Sequence, residues 1–374
     1  MSEPTPDAPL LVMRGISKRF AGVQALDGVD FTVRRGEVHA LMGENGAGKS
    51  TLLKVLTGVH IRDAGTVEFD GRPFFPRTPR EAQEGGVSTV YQEVNLIPHL
   101  SVAENVCLGR QPRRLGFLNW GATRRRARAA LERMGLNLDV DRPLASYSIA
   151  IQQMVAIARA LDIDTKLLVL DEPTSSLDAN EVRRLFDVVK RLKAQGLGII
   201  FVTHFLDQVY EISDRITILR NGRLVGEYEA AALPPVELVA NMLGRDPKEL
   251  EAAAREHAPP RPADDARPLI EAKGIGRRGT MHPIDLSIRA GEVVGLAGLL
   301  GSGRTETARM LFGVDRADTG TVKVDGRPVS LSSPRRAIAQ RFGFLSEDRK
   351  SEGIIPELSI RENMILAIQA RRGW

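Results

Sequence analysis

Short apolar runs, each ending at a glycine, an acid or a hydroxyl residue, set the rhythm of this chain. Val38-His-Ala-Leu-Met runs straight into glycines, Leu167-Leu-Val-Leu ends at Asp171, and Gly198-Ile-Ile-Phe-Val ends at Thr203. Brief, nearly unbroken apolar runs with turn signals beside them predict strands buried on both faces, as in a parallel sheet. Elsewhere the period lengthens. A helix is expected from about Lys49, and the Arg-rich stretch 123–135, with Ala and Leu interspersed, reads as a second one. Buried strands alternating with helices predict an α/β fold.

The pattern occurs twice. Residues 36–58 align without a gap with residues 291–313 at an offset of 255, and Asp63–Pro73 matches Asp318–Pro328 at the same offset. Leu100-Ser-Val-Ala-Glu-Asn105 matches Leu358-Ser-Ile-Arg-Glu-Asn363 at an offset of 258, which implies a three-residue insertion in the second copy. An ordered series of this length marks a duplicated domain rather than a solenoid of short repeats. Residues 1–9 read as a disordered tail, 10–244 as a complete first copy, 245–267 as a linker rich in Pro, and 268–374 as an incomplete second copy.

Composition narrows the classes. The chain has 374 residues with 52 basic and 47 acidic side chains, a net +5 that reads as a mixed solvated surface and not a nucleic-acid footprint. The single Cys107 excludes an internal disulfide and any multi-cysteine metal site, which fits a reducing compartment. Residues 1–9 lack the basic and apolar regions of a secretory signal, and no window approaches the ~20 apolar residues of a bilayer span. Any membrane role must come through a partner.

Gly43-Glu44-Asn45-Gly46-Ala47-Gly48-Lys49-Ser50-Thr51 follows an expected strand and opens an expected helix, the context that defines a phosphate-binding P-loop. Glycines let backbone N–H groups turn inward around phosphates, and the helix N-terminus adds positive dipole. Lys49 supplies a point charge for the β- and γ-phosphates, and the Ser50 hydroxyl is a Mg²⁺ ligand. The second copy reads Gly298-Leu-Leu-Gly301-Ser-Gly303-Arg304-Thr305, with Arg304 where Lys49 stands. Arginine keeps the charge but is bulkier and forked, so the two are not equivalent. Asp171, ending its apolar run, is placed to hold Mg²⁺, and Glu172 beside it to polarise an attacking water as general base.

With these elements in order, the first copy resembles the nucleotide-binding domain of ABC transporters. The resemblance implies a P-loop NTPase fold: tandem domains, each a RecA-like core with antiparallel β and helical subdomains, the second incomplete. It implies ATP and Mg²⁺ as cofactors. Gln92 resembles the Q-loop residue that senses Mg²⁺ and the transmembrane partner, Ser176-Leu-Asp178 the D-loop, and His204 the switch histidine at the γ-phosphate. Phe20 sits where the family stacks an aromatic on adenine. The signature element departs from the family: Ser148 is kept in Tyr147-Ser-Ile-Ala-Ile-Gln152, but Ile149 and Ala150 replace both glycines. Head-to-tail packing in the family pairs that variant signature with Arg304, so the second site should hydrolyse poorly.

Gly298–Thr305, the short linker and Ser346-Glu-Asp-Arg-Lys350 resemble the fused two-domain ATPases of monosaccharide importers of the ribose, galactose and xylose type. In that group the chain would power sugar import through transmembrane permease subunits and a periplasmic or extracellular sugar-binding protein, peripheral to the cytoplasmic face of the membrane, with no nucleic-acid partner. Two readings stay open beside it: a truncated nucleotide-binding protein without efficient hydrolysis, and a soluble non-transport member of the family. The latter class usually carries a longer charged linker with two intact P-loops, or cysteine-based zinc sites, and this sequence has neither.

Overall fold

The computed structural model describes residues 9–90, 96–162, 164–175, 177–249, 267–298, 302–346 and 352–372. The chain divides into two units, Met1–His257 and Ala258–Trp374, so the division falls in the stretch read as linker.

The first unit runs β1 (Pro9–Phe20), β2 (Val23–Arg34), β3 (Val38–Met42), α1 (Lys49–Leu56), β4 (Ala64–Phe69), β5 (Arg72–Pro73), α2 (Pro79–Glu84) and β6 (Val87–Val90). It continues with α3 (Val102–Val106), the hairpin β7 (Arg113–Arg114) and β8 (Phe117–Leu118), α4 (Trp120–Arg133), α5 (Ile149–Leu161), β9 (Leu167–Asp171) and α6 (Ala179–Ala194). Its last elements are β10 (Gly198–Val202), α7 (Leu206–Ile212), β11 (Arg215–Arg220), β12 (Arg223–Glu229) and α8 (Pro235–Leu243). Two sheets result. One is antiparallel, in the order β2-β1-β4-β5, and the other has the order β12-β11-β3-β10-β9-β6. In the second, β6, β9, β10, β3 and β11 are parallel and only the edge strand β12 runs against them.

The three expected buried runs are β3, β9 and β10, and they lie side by side at the centre of the parallel sheet. Strand alternation sends their side chains to opposite faces. Leu168, Leu170, Ile199 and Phe201 pack with Leu185, Phe186 and Val189 of α6 and with α5. Leu167, Val169, Ile200 and Val202 face the other way, onto Leu52 and Leu56 of α1 and onto Met13, Phe31 and Val33 of the antiparallel sheet. Continuous apolar runs are needed because both faces are covered.

The Arg-rich helix α4 begins three residues before the expected 123. Asn119 accepts from the Ala122 N–H at 3.0 Å and fixes that start, a capping signal that hydrophobic period alone does not carry. Gly135, at φ 72°, turns the chain away at the other end.

The second unit has β13 (Pro268–Arg277), β14 (Met281–Arg289), α9 (Arg304–Phe312), β15 (Thr319–Val324), β16 (Arg327–Val329), α10 (Pro334–Ala339) and α11 (Ile360–Arg372). Its sheet has the order β14-β13-β15-β16, the same path as β2-β1-β4-β5. The duplication also extends to side-chain clamps. Asp30 accepts from the Gly15 N–H at 2.7 Å, and Asp285 from the Gly274 N–H at 2.6 Å. Asp63 accepts from the Arg19 N–H at 2.6 Å, and Asp318 from the Arg278 N–H at 3.0 Å. Two strands are not repeated: residues 293–297, aligned with β3, and 342–345, aligned with β6, are not strands, and Val293 is 95% exposed. In the first unit β3 is held between β10 and β11; among the described residues no strand flanks 293–297. Among the described residues no helix is long and apolar enough to cross a membrane.

Candidate functional site

The loop from Gly43 to Gly48 joins β3 to α1 and depends on backbone shapes that side chains resist. Gly48 caps α1 at φ 105°, and a Cβ there would stand 2.8 Å from the Ala25 carbonyl and 2.9 Å from Leu26 Cδ2. Gly43, at φ 148°, passes so close to Leu219 that a Cβ would run into its carbonyl. The loop is also tied from outside. The Ala47 carbonyl accepts from the Gly222 N–H at 3.0 Å, and the Gly222 carbonyl accepts from the Asp27 N–H at 2.8 Å. Lys49 curls back over the loop and donates to the carbonyls of Gly43 at 2.6 Å and Glu44 at 3.0 Å.

Asn45, Gly46, Ala47, Gly48, Lys49, Ser50 and Thr51 line an open cleft of ≈ 220 Å³ with Asp171 and Glu172, closed on one side by Val23, Gln24 and Ala25. The parallel sheet makes this meeting possible, because β3 and β9 are both neighbours of β10 and end at the same edge. Burial pushes the Lys49 amine below its ordinary range, while the charges of Glu172 and Asp171 pull it back up. Burial raises the Asp171 carboxyl, and the adjacent Glu172 adds to the rise against the pull of Lys49 and Lys54. The cleft is therefore a partly buried place where a cation and two carboxylates already face one another.

Glu172 has a positive φ of 49°, which is rare for a residue with this side chain. Its N–H donates to the Val202 carbonyl at 2.8 Å, and the Ser175 hydroxyl donates to its carbonyl at 3.2 Å. His204 comes from the end of β10, its Nδ1 3.6 Å from Glu172 Oε1 and its ring 4.1 Å, centroid to centroid, from Phe205. The structure thus brings together three segments, the first of them more than a hundred residues of sequence from the other two.

Phe20 ends β1 beside the cleft-lining hairpin residues, 39% exposed and backed edge-on by His60 with centroids 5.0 Å apart. Ser148 caps α5, its hydroxyl accepting from the Ile151 N–H at 3.5 Å. Asp178 caps α6, accepting from the N–H groups of Asn180 at 2.7 Å and Glu181 at 2.9 Å. Neither of these two lines the cleft. Gln92 lies outside the described residues.

In the second unit Gly303 caps α9 at φ 90°, and Arg304 and Thr305 follow it as exposed residues of the first turn. Gly298 precedes this turn, and Gly301 lies outside the described residues. The Asp63 and Asp318 clamps make Arg19 equivalent to Arg278, and the Asp30 and Asp285 clamps, at the same offset of 255 as the gapless alignment, make Leu26 equivalent to Met281. Six residues, 20–25, separate the first pair of positions; only Gly279 and Thr280 separate the second. Met281 packs 3.4 Å from where a Gly303 Cβ would be, much as Leu26 packs on Gly48. The hairpin tip that carries Phe20 and closes the first cleft has no counterpart in the second unit.

Sequence reading did not find Val23, Gln24 and Ala25, nor Gln208, whose side chain joins Thr174 to Thr203. These are tertiary encounters with no periodic or motif signal.

Comparison with known proteins follows the same lines. A family model described as ABC transporter matches residues 26–175 and 281–373. The chain is 53% identical over 365 residues to the galactofuranose transporter ATP-binding protein YtfR of Escherichia coli (strain K12), a match covering 98% of this chain and 72% of that protein. It is 49% identical over 370 residues to the fructose import ATP-binding protein FruK of Bifidobacterium longum, covering 99% and 72%. The ribose import ATP-binding protein RbsA 1 of Rubrobacter xylanophilus is 50% identical over 359 residues, covering 96% and 70%. The crystal structure of the ADP conformation of MJ1267, an ATP-binding cassette of an ABC transporter, matches with a TM-score of 0.56 at 28% identity, covering 66% of this chain and 99% of that one. With two matched segments spanning most of the sequence and identity near one half along almost all of it, the chain belongs to the ABC transporter ATPases.

Proposed function

We propose that the chain is the ATP-hydrolysing subunit of an importer for a monosaccharide, acting at the Lys49 cleft. One observation carries the reading: the phosphate loop, the acidic pair Asp171–Glu172 and His204 converge at one edge of the parallel sheet. The relatives named for galactofuranose, fructose and ribose transport support the substrate class.

In this reading the N–H groups of Gly43, Glu44, Asn45, Gly46, Ala47 and Gly48 wrap the phosphates at the α1 N-terminus, with Ser50 and Thr51 adding hydroxyls. Lys49 leaves its carbonyl partners for the β- and γ-phosphates, and Phe20 stacks on the base. The donor set suits Mg²⁺, which keeps waters and phosphate oxygens and needs only one or two protein ligands. Among the described residues no cluster of three or more metal-binding side chains exists, but Ser50 and Asp171 line the same cleft. When bound, Mg²⁺ neutralises charge on the transferring phosphoryl group; Ser50, Asp171 and Gln92 would hold it.

Glu172 accepts a proton from water as the water attacks the γ-phosphate, a role worth roughly 10²–10⁴ in rate. His204 holds the Glu172 carboxylate and the γ-phosphate in line. Ser148 and Asp178 serve the composite face formed when two such domains close. Gly298, Gly301, Gly303, Arg304 and Thr305 form a weaker second site. Permease subunits in the membrane and, through them, a sugar-binding protein are the partners, with the chain peripheral to the membrane's cytoplasmic face.

The test is ATP turnover by the full chain alone and with its permease subunits. Glu172→Gln should lower turnover about a hundredfold or more and leave ATP binding within about twofold. Wild-type turnover in that variant would remove Glu172 from the chemistry, and sugar-independent turnover in the reconstituted complex would remove the importer assignment.

A further inference from the structure

Gln208 lies on the first turn of α7 and does not line the cleft, yet its side chain is the meeting point of both segments that carry the acid and the histidine. Its Oε1 accepts from the Thr174 hydroxyl at 2.6 Å and from the Thr203 hydroxyl at 3.3 Å. Thr174 is 3% and Thr203 4% exposed, so neither hydroxyl has bulk water as a ready substitute. The Thr203 oxygen in turn accepts from the Phe205 N–H at 3.2 Å. The residues on either side of His204 are thus joined to each other, and through Gln208 to the segment that begins at Glu172.

Glu172 needs such an anchor. It stands at a φ of 49°, a backbone state that persists only where its surroundings over-determine it. The bond from its N–H to Val202 fixes one side, and the Thr174–Gln208–Thr203 bridge fixes the other. Glu172 and His204 approach to 3.6 Å from different strands, and no covalent connection nearby sets that distance.

We propose that Gln208 is a positioning residue for hydrolysis: its one oxygen locks the Glu172 and His204 loops in register. This rests on the roles given to Glu172 and His204 above, while Gln208 itself touches no substrate. A displacement of about 1 Å at a reacting group is enough to cost about a hundredfold in rate, so a modest loosening is readable in turnover.

Gln208→Leu keeps the volume and deletes the acceptor; Gln208→Glu keeps an acceptor oxygen. In the full chain, kcat for ATP should fall about tenfold or more in Gln208→Leu, with the ATP dissociation constant within about twofold of wild type. Gln208→Glu should stay within about threefold of wild-type kcat. Thr174→Val and Thr203→Val should each lower kcat in the same manner, and Thr174→Val combined with Gln208→Leu should be no worse than Gln208→Leu alone. Unchanged kcat in Gln208→Leu would overturn the proposal, and so would equal losses in binding and turnover, which signal general unfolding. If Gln208→Leu does not fold, unchanged kcat in both Thr→Val variants decides against it. Failure of Glu172→Gln to slow turnover would fault the site assignment, a different result from failure of Gln208.

Discussion

Removing the Phe20 ring should weaken ATP without touching the phosphate interaction. The ring sits at the end of β1, and its placement is set before any ligand arrives: His60 meets it edge-on at 5.0 Å, and the Lys18 ammonium lies 5.5 Å from its centroid. Base–aromatic stacking is worth ~1–3 kcal/mol by alanine substitution. The side is open to solvent, with 39% of the residue exposed, so the incoming base displaces water from one face only and the lower half of the range applies. A loss of ~1–2 kcal/mol is about 5- to 30-fold in affinity. Calorimetric titration of the full chain with ATP and with inorganic tripolyphosphate, each with Mg²⁺, separates base from phosphate. Phe20→Ala should weaken ATP by that factor and leave tripolyphosphate within about twofold, and Phe20→Trp should restore ATP. Equal weakening of both ligands, or none, would refute the stacking argument.

Three further outcomes follow from the geometry. Lys49→Ala removes the cation that faces Asp171 and Glu172, so nucleotide turnover should fall at least about a hundredfold; turnover near wild type would place hydrolysis elsewhere. Gly48→Ala meets both a left-handed φ of 105° and the Ala25 carbonyl at 2.8 Å, so urea unfolding should show a loss of about 1–3 kcal/mol, and an unchanged midpoint would count against the clamp. The last concerns pH. Burial holds the His39 imidazole below its ordinary 6.5 despite Glu37, and Glu37 itself, though burial pushes it up, is held below 4.5 by His39, the Arg34 N–H and Arg215. Both groups bind protons more readily unfolded than folded, so their stability is present above those ordinary values and is lost as pH falls. The melting temperature should be flat from about pH 8 to 7, then drop toward pH 5, with a shallower drop in His39→Gln; a rise on acidification would reverse the sign of the argument.

The parts of this fold legible in sequence are those whose environment is uniform. Strands β3, β9 and β10 are covered on both faces, so nearly every position is apolar and each run stands out. Lys49, Asp171 and Glu172 are legible because a loop-to-helix junction and an apolar strand end admit few residue types. What stays hidden depends on encounters between distant positions. Arg215 reaches Glu37 at 3.1 Å across 178 residues, and both are nearly buried although each reads as a surface charge. Gln208 looks like a polar position on an amphipathic helix. Residues 293–297 repeat the apolar run of β3 but form no strand, because pairing neighbours, not the run itself, make the strand.

The two units share the clamps of their antiparallel sheets and differ around the first unit's cleft. The clamps that hold the antiparallel sheet recur in full: Asp30 and Asp285, Asp63 and Asp318, and Glu37 on the Arg34 N–H with Glu292 on the Arg289 N–H at 2.6 Å. The left-handed glycine that opens the helix recurs too, at φ 105° in Gly48 and 90° in Gly303. Some of the changes fall at positions that line the cleft in the first unit or flank it. The six-residue tip bearing Phe20 shrinks to Gly279-Thr280, Lys49 becomes Arg304, and Thr51 becomes Glu306. A carboxylate in the first turn suits the α9 dipole, but it opposes an incoming phosphate by like charge.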